Sequence, residues 1–159
     1  MRTQHRIRRV GLEDLERVLE IEKASFGPEA YDRKLFAEYF HRCGHLFLLA
    51  EQGRYVSGYI LTCLRASPRG LGAELISVAV DPAFRRAGTA TALLESTLRR
   101  LRKRGVTHLR LVVRWNNYSA RALYEKYGFR RVRRLPRYYE DGEDGIAMKL
   151  AMHSRLRDV

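Results

Sequence analysis

Apolar positions along the chain recur with two periods, one typical of helices and one typical of strands. The helical period predicts four helices, at residues 14–26, 32–42, a segment after Pro82 that ends at Gly105, and 119–127. Runs rich in branched and aromatic residues predict seven strands, at residues 5–10, 45–51, 54–64, 73–81, 107–113, 129–139 and 146–153. The predicted order is β, α, α, β, β, β, α, β, α, β, β.

This order of elements indicates the fold class. The second, third and fourth strands follow one another through short connections, which favours an antiparallel meander. The strand–helix–strand portion over residues 74–113 favours a parallel or mixed pairing, because a crossover helix returns the chain in the same direction. Asp32 and Asn117 stand where side chains cap helices. We expect an α/β or α+β sandwich in one domain over residues 1–159.

The chain carries a formal net charge of +13, and its 31 cationic residues are 26 arginines and 5 lysines. Such an excess favours anionic partners, which include nucleic acid, a polyphosphate cofactor, an acidic protein and the ribosome. Two segments concentrate the charge, RRLRKR at residues 99–104 and RRVRRLPR at residues 130–137. A basic nucleic-acid or ribosome-binding module without catalysis is therefore one hypothesis, and solvated basic faces are the alternative interpretation.

Cysteine and histidine positions argue against disulfides and metal centres. Cys43 and Cys63 form no CxxC pair and no larger framework, so we expect free thiols in a reducing compartment. His41, Cys43 and His45 alternate in HRCGH, but this spacing matches no zinc pattern, and no metal is expected. No apolar run reaches the roughly 18 residues of a membrane span, and the N-terminus lacks the apolar core of a signal peptide. We expect a cytoplasmic protein with no membrane partner.

The stretch FRRAGTATALL, residues 84–94, places two arginines and a glycine before a predicted helix. A glycine turn at a helix start directs unpaired N–H groups and the positive end of the helix dipole towards one point, which suits phosphate. The wider stretch VAVDPAFRRAGTATALL resembles motif A of the GNAT superfamily of acyl-CoA-dependent N-acetyltransferases, with the motif falling on Arg85, Gly88 and Ala90. VRWNNYSARALYEKYGFRRV resembles the family's motif B.

This resemblance covers nearly the whole chain, because the predicted order of elements is also the family's order. It implies a GNAT fold with a mixed, mostly antiparallel sheet of about seven strands, about four flanking helices, and acyl-CoA in the cleft between strands four and five. It also implies that acetyl-CoA is the cosubstrate, with its pyrophosphate on the glycine turn. The implied contacts are Val78, Ala79, Val80, Arg85, Arg86, Ala87, Gly88, Thr89, Ala90, Thr91, Asn117 and Tyr124.

The end of the chain, RWNNYSARALYEKYGF followed by RRLPRYYEDGEDGIAMKL, is similar to bacterial ribosomal-protein alanine N-acetyltransferases and related enzymes that modify protein N-termini. The similarity implies that Tyr138 and Tyr139 hold the backbone of the acceptor. We expect the acceptor to be a protein or peptide N-terminus, with a ribosomal protein as one candidate, and the enzyme to be a monomer or weak homodimer. Another amine, a protein lysine or a small molecule, is the alternative. Nucleic acid is not expected as substrate.

Acyl transfer to an amine needs a neutral amine, a polarised thioester carbonyl and a proton for the departing thiolate. The resemblance assigns the proton to Tyr124, and the backbone N–H of Ala79 can serve the carbonyl if its strand splays from its neighbour. The related bacterial enzymes carry a glutamate base where this chain has Val112, which cannot accept a proton. We expect Glu74 to replace it, directly or through a water, since AELISVAV resembles the strand on which histone acetyltransferases of the superfamily carry their base.

Overall fold

The structure, a computed structural model, describes residues 4–152. Position 153, the end of the last predicted strand, lies outside them. None of the described helices is long and apolar enough to cross a membrane. The strands are β1 (Arg6–Arg9), β2 (Phe47–Gln52), β3 (Tyr55–Ser67), β4 (Gly70–Val80), β5 (His108–Arg114), β6 (Arg130–Leu135) and β7 (Gly145–Ala151). The α-helices are α1 (Leu15–Phe26), α2 (Arg33–Cys43), α3 (Thr89–Lys103) and α4 (Tyr118–Lys126).

The sheet has the strand order β1-β2-β3-β4-β5-β7-β6. β4 and β5 pair in parallel, with Gly72–Glu74 beside His108–Arg110, because the crossover through α3 returns the chain in the same direction. The pairs β1–β2, β2–β3, β5–β7 and β6–β7 are antiparallel. The predicted mixed, mostly antiparallel sheet with four helices is confirmed.

The chain divides into two compact units. The first unit comprises the residues up to Cys63 together with Ile76–Arg100, and the second comprises Leu64–Leu75 together with the residues from Leu101 onward. The first therefore holds β1, β2, α1, α2 and most of α3, and the second holds β5, α4, β6 and β7. β3 and β4 contribute to both. The single domain over residues 1–159 stays a prediction.

The first unit is built around a cluster of aromatic rings. Phe36 of α2 packs against Phe47 of β2 and Tyr59 of β3, with ring centroids 5.8 and 5.7 Å apart, respectively. All three side chains are fully buried, as are Val18 and Ile21 of α1. Burying an apolar side chain of this size stabilises a fold by about 1.5–3 kcal/mol, so this cluster holds both helices on the sheet.

The same core contains a buried carboxylate, Glu22 of α1, which is 2% exposed. Its oxygens accept hydrogen bonds from the Tyr59 hydroxyl, from Ser77 Oγ at 3.4 Å and from the backbone N–H of Tyr31 at 2.8 Å. Burial raises the pKa of Glu22, since the charged form loses its solvation there, and the three donors oppose that rise. Glu22 continues the apolar spacing of α1, and these donors satisfy the polar group that the spacing buries.

Cys43 and Cys63 form a disulfide, so the expectation of free thiols is wrong. Cys43 is the last residue of α2 and Cys63 lies in β3. Packing of α2 on the sheet brings their Cα atoms to 5.2 Å, although they are 20 residues apart in the chain. The contact is a result of tertiary packing, which the cysteine spacing does not reveal. The prediction of a reducing compartment loses the support of free thiols.

The second unit buries one face of its strands and leaves the other accessible. Buried residues alternate with accessible ones along β5, as in a sheet with one solvated face. The buried face carries Leu109, Leu111, Val113, Ile146, Met148 and Leu150. The other face, which we call the open face, carries Arg110 and Val112 from β5, Ala147 and Lys149 from β7, and Arg130 and Arg133 from β6.

Both predicted helix caps are confirmed. Asp32 Oδ1 accepts a hydrogen bond from the Leu35 N–H at 2.9 Å, at the start of α2. Asn117 Oδ1 accepts one from the Ala120 N–H at 3.2 Å, at the start of α4. Each cap satisfies an N–H group that has no partner inside its helix, which is why short polar side chains mark these positions in the sequence.

Breaking the Cys43–Cys63 disulfide should lower the free energy of unfolding by about 3 kcal/mol, because the unfolded chain regains the entropy of the closed loop. Urea unfolding of the oxidised and the reduced protein measures this difference. The double variant Cys43→Ala/Cys63→Ala is the control, since it has no thiol left and should not respond to reductant. Equal stability of the oxidised and reduced wild type would contradict the expectation.

Candidate active site

The start of α3 presents a group of backbone N–H donors. The first bond within the helix runs from the Ala92 N–H to the Gly88 carbonyl at 3.0 Å, so the N–H groups of Gly88–Thr91 precede the helical ladder. Gly88 has φ 80° and Arg86 has φ 64°, both in the left-handed region, which turns the loop sharply into the helix. Four N–H groups ahead of the helical ladder and the positive end of the helix dipole together suit a phosphate, and we call the segment Gly88–Thr91 the cradle.

Contacts from distant parts of the first unit hold the cradle. Asp81 Oδ1 accepts a hydrogen bond from the Ala83 N–H at 2.8 Å, and Asp81 Oδ2 accepts one from Arg17 at 2.5 Å. The Ala83 N–H, and next Arg17, hold the pKa of Asp81 below its usual value. His5 Nε2 donates to the Ala87 carbonyl at 2.7 Å. An aspartate before a proline signals a cap in the sequence, whereas Arg17 and His5 come from far along the chain and were not predicted.

The predicted acetyl-CoA contacts of the first unit lie in and before the cradle. Residues 78–80 form the end of β4, from which the chain enters the loop. Arg85 and Arg86 are exposed at the rim. The Thr89 side chain is directed inward, since the residue is 2% exposed and its Oγ1 accepts a hydrogen bond from Gln52 Nε2 at 3.2 Å. Thr89 can therefore serve an anion through its backbone N–H, not through its hydroxyl.

Helix α4 and its N-cap hold two of the predicted residues of the second unit. Tyr124 is 5% exposed, and its ring centroid lies 5.5 Å from that of Phe129. Burial raises the pKa of its phenol and the nearby Tyr139 raises it further, so the hydroxyl stays protonated at neutral pH. A protonated phenol is the state that a general acid needs. Asn117 uses its side-chain oxygen for the helix cap, which leaves its side-chain amide N–H groups for a ligand.

Tyr138 and Tyr139 lie in the turn between β6 and β7, with their rings edge to face at 5.0 Å. Arg114 of β5 orders this turn, since its guanidinium carbon lies 4.1 Å from the Tyr139 ring centroid and its Nη1 donates to Glu143 at 2.7 Å. Tyr138 is 53% exposed and so accessible to a partner. Arg114 is a positioning residue that the sequence did not single out, because its partners follow it by more than twenty positions.

Gly145 brings Tyr138 and Val112 together. A Cβ at this position would lie 3.0 Å from Val112 Cγ1 and 3.3 Å from the Tyr138 ring, so glycine allows both side chains to approach the backbone of β7. Val112 is 38% exposed on the open face. Val112, which stands where the related bacterial enzymes carry a glutamate base, is therefore adjacent to Tyr138, which is predicted to hold the acceptor.

Glu74, the predicted base, lies in β4 with its side chain 35% exposed. Its carboxylate pairs with the guanidinium of Arg65 at 2.6 Å, and Arg110 is its neighbour in the β4–β5 pairing. Neither cation was predicted as a neighbour of Glu74. The ion pair engages Oε2 of the carboxylate, so a proton that Glu74 accepts must share the group with Arg65.

Comparisons with known proteins establish the family. The profile of the Acetyltransferase (GNAT) family matches residues 13–129. The chain belongs to the GNAT acetyltransferase family. Over 153 residues this GNAT chain is 31% identical to an N-alpha-acetyltransferase of Sulfolobus acidocaldarius. The alignment covers 91% of the chain and 90% of the relative. It is also 47% identical over 81 residues to the ribosomal protein bS18-alanine N-acetyltransferase of Escherichia coli, which covers 49% of the chain and 55% of the relative.

Solved structures of the GNAT family share the fold. Ard1 from Thermoplasma volcanium matches with a TM-score of 0.87 and 28% identity, over 94% of this chain and 99% of that one. The chain is an N-acetyltransferase, and its cosubstrate is acetyl-CoA. The cradle fits this ligand, because the N–H groups of Gly88–Thr91 and the exposed Arg85 and Arg86 offer donors and positive charge to a pyrophosphate.

Gly88→Ala should weaken acetyl-CoA binding about tenfold, as measured by calorimetric titration. Alanine is strained at φ 80°, whereas its Cβ would meet nothing closer than His5 Nε2 at 3.8 Å, so the substitution alters the loop and not the packing. Gly105→Ala is the matched control, since Gly105 has φ 76°, has nothing within 4 Å of an added Cβ and follows the other end of α3. Both variants should lose about 1 kcal/mol of stability. Unchanged affinity in Gly88→Ala would contradict the role of the cradle.

Proposed function

We propose that this acetyltransferase transfers acetyl from acetyl-CoA to the N-terminal amino group of a protein or peptide, by direct attack and without a covalent enzyme intermediate. The observation that carries the proposal is the β6–β7 turn with Tyr138 and Tyr139, which we call the tyrosine turn. Tyr138 is exposed beside Val112, and Tyr139 lies near the buried Tyr124. Phenol hydroxyls both donate and accept hydrogen bonds, so they can hold an incoming peptide backbone. The similarity to proteins named N-alpha-acetyltransferase supports the same acceptor.

Three groups of the chain each carry out one part of the acetyl transfer. The backbone N–H of Ala79 donates to the thioester carbonyl, where negative charge develops. Glu74 receives the amine proton, directly or through a water, while Arg65 stays beside the carboxyl group. Tyr124 gives its proton to the departing thiolate. The C–N bond forms as the C–S bond breaks. The amine proton passes to Glu74, and the thiolate takes its proton from Tyr124.

The acceptor amine decides how strong a base is required. An α-amino group, with a pKa of about 7.7–8.0, is roughly a tenth neutral at pH 7, whereas a lysine, with a pKa of about 10.4, is neutral at only a few parts in ten thousand. The difference corresponds to roughly 3.5 kcal/mol. Because Val112 supplies no carboxylate, the chain suits an N-terminal amine better than a lysine. A ribosomal protein is one candidate acceptor, supported by the partial match to the bS18-alanine enzyme.

Acetylation of a peptide library tests the acceptor. Each peptide contains one internal lysine and is supplied with either a free or a blocked N-terminus, and mass spectrometry locates the transferred acetyl group. We expect acetylation of free N-termini and little modification of lysine. Exclusive modification of lysines would reject the proposal, and acetylation confined to small amines would favour the alternative acceptor.

Tyr124→Phe should lower turnover by at least about tenfold while the affinity for acetyl-CoA stays similar, because the substitution removes the proton of the phenol but keeps its ring. Steady-state kinetics and calorimetric titration measure the two quantities. Tyr118→Phe is the matched control, since Tyr118 lies on the same helix and is 66% exposed. Unchanged turnover in Tyr124→Phe would remove this residue from its role.

Glu74→Gln should lower turnover by about tenfold and alter the pH profile, because an amide cannot accept the amine proton. The part of the profile that reflects the α-amino group of the acceptor should remain. Arg65→Gln is the comparison variant, since it removes the ion pair and keeps a carboxylate that can accept the proton, and it should retain most of the turnover. A wild-type pH profile in Glu74→Gln would dismiss Glu74 as the base.

A further inference from the structure

Three cations stand in one cross-strand row on the open face. Arg110 of β5 lies opposite Lys149 of β7, and Lys149 lies opposite Arg130 of β6. Directly opposite residues share a face with Cβ atoms about 5 Å apart, so the row crosses three strands within about 10 Å. Arg110 and Arg130 are exposed, and Lys149 is half-buried. We call these three residues the cation row.

The three residues of the cation row have no ion-pair partner among the residues that the structure describes. Like charges directly opposite one another in a sheet are destabilising, and no ion pair among residues 4–152 includes any of the three. Glu74 is next in register beyond Arg110, but it already pairs with Arg65. Burial, and next Lys149 and Arg110, lower the pKa of the adjacent His108. A row of like charges with no ion-pair partner in the described part of the chain points to an anionic ligand.

A β-bulge determines which further arginine of β6 this face carries. The β6–β7 pairing shifts register between Arg131 and Arg133, so Arg133 joins Arg130 on the open face, whereas strict alternation would place them on opposite faces. Arg131 stays on the other face, where it pairs with Glu125 of α4 at 3.4 Å. Arg133 is in the cross-strand row that contains Val112. The bulge thus places Arg133, and not Arg134, on the open face beside the cation row.

The cation row adjoins the surface that the proposed function assigns to the acceptor. Val112 is two residues from Arg110 along β5, a distance of about 7 Å, and Tyr138 lies beside Val112. An extended polypeptide advances about 3.3 Å per residue. Glu74, the proposed base, is in register with this row beside Arg110. Neighbouring strands lie about 4.8 Å apart, so a chain whose N-terminal amine lies between Val112 and Glu74 and which crosses the open face towards β6 passes the cation row at about its third to sixth residues.

We infer that the acceptor is an acidic chain, in which aspartate or glutamate side chains at about the third to sixth positions pair with Arg110, Lys149 and Arg130. The inference rests on the proposed N-terminal acetylation. The row continues the apolar and aromatic surface of Val112 and Tyr138, which suits a polypeptide occupant better than a nucleic-acid backbone. A basic N-terminal segment is repelled by the same row, so the open face selects its acceptor by charge.

Three sets of peptides test this inference in acetylation assays with the full-length enzyme. The sets share their first two residues and carry Asp/Glu, Asn/Gln or Arg at the third to sixth positions. At low salt we expect kcat/KM to be about tenfold higher for acidic than for neutral peptides and lowest for basic ones. The preference should shrink as ionic strength rises, because exposed charges are screened.

Variants locate the selectivity. Arg110→Gln/Arg130→Gln should lower the acidic-to-neutral ratio of kcat/KM about tenfold, and Arg110→Glu/Arg130→Glu should reverse the preference towards basic peptides. The control Arg102→Gln/Arg131→Gln makes the same change of net charge, but Arg102 is an exposed residue of α3 and Arg131 lies on the other face of β6. It should keep the wild-type ratio.

The outcomes separate the inference from the proposed function. Acetylation of all three sets at equal rates would overturn the inference and leave N-terminal acetylation standing. No acetylation of any free N-terminus would overturn the proposed function, and the inference with it. An RNA oligonucleotide that binds through Arg110 and Arg130, combined with no charge preference among the peptides, would show a nucleic-acid surface and reject the acidic acceptor.

Discussion

The pairing register of β7 with β5 and β6 is the constraint on which the open face and the proposed acceptor surface depend. Side chains alternate between the two faces of a strand, so a slip of one residue would exchange the buried and the open face. Ile146, Met148 and Leu150 are buried, and their packing makes such a slip costly. The same register puts Lys149 between two arginines and sets Ala147 beside Val112. Packing on the buried face thus determines which side chains lie on the open face.

The donor side depends on a property of every helix start, the N–H groups that have no partner within the helix. In the arrangement that we propose for acetyl-CoA, the N–H groups of Gly88–Thr91 face its pyrophosphate, and the nearby side chains act mainly by supporting the loop. Their task is to hold the loop in place, as Asp81 does with Arg17 and as His5 does with the loop backbone. Motif A can therefore be recognised in the sequence by its glycine, whereas the residues that support the loop are distant from one another along the chain.

Local physics explains which predictions from the sequence succeeded. The helices, the strands and the caps at Asp32 and Asn117 depend on residues within one or two turns of the chain, so their signals survive in a linear pattern. The pairing of Arg65 with Glu74, the stacking of Arg114 on the tyrosine turn and the Cys43–Cys63 disulfide were not predicted. Each joins residues from different elements, and neither member carries a local sign of its partner.

The sequence by itself determined the order of elements, the GNAT family, the acetyl donor and the aromatic and acidic residues worth testing, because motifs and periodicities are read along one chain. Only the tertiary structure decided that two cysteines meet and that Glu74 shares its carboxylate with a cation. It also decided that a bulge turns Arg133 to the same face as Arg130. Strand register and bulges arise from packing between segments distant in sequence, and they determine which side chains share the open face.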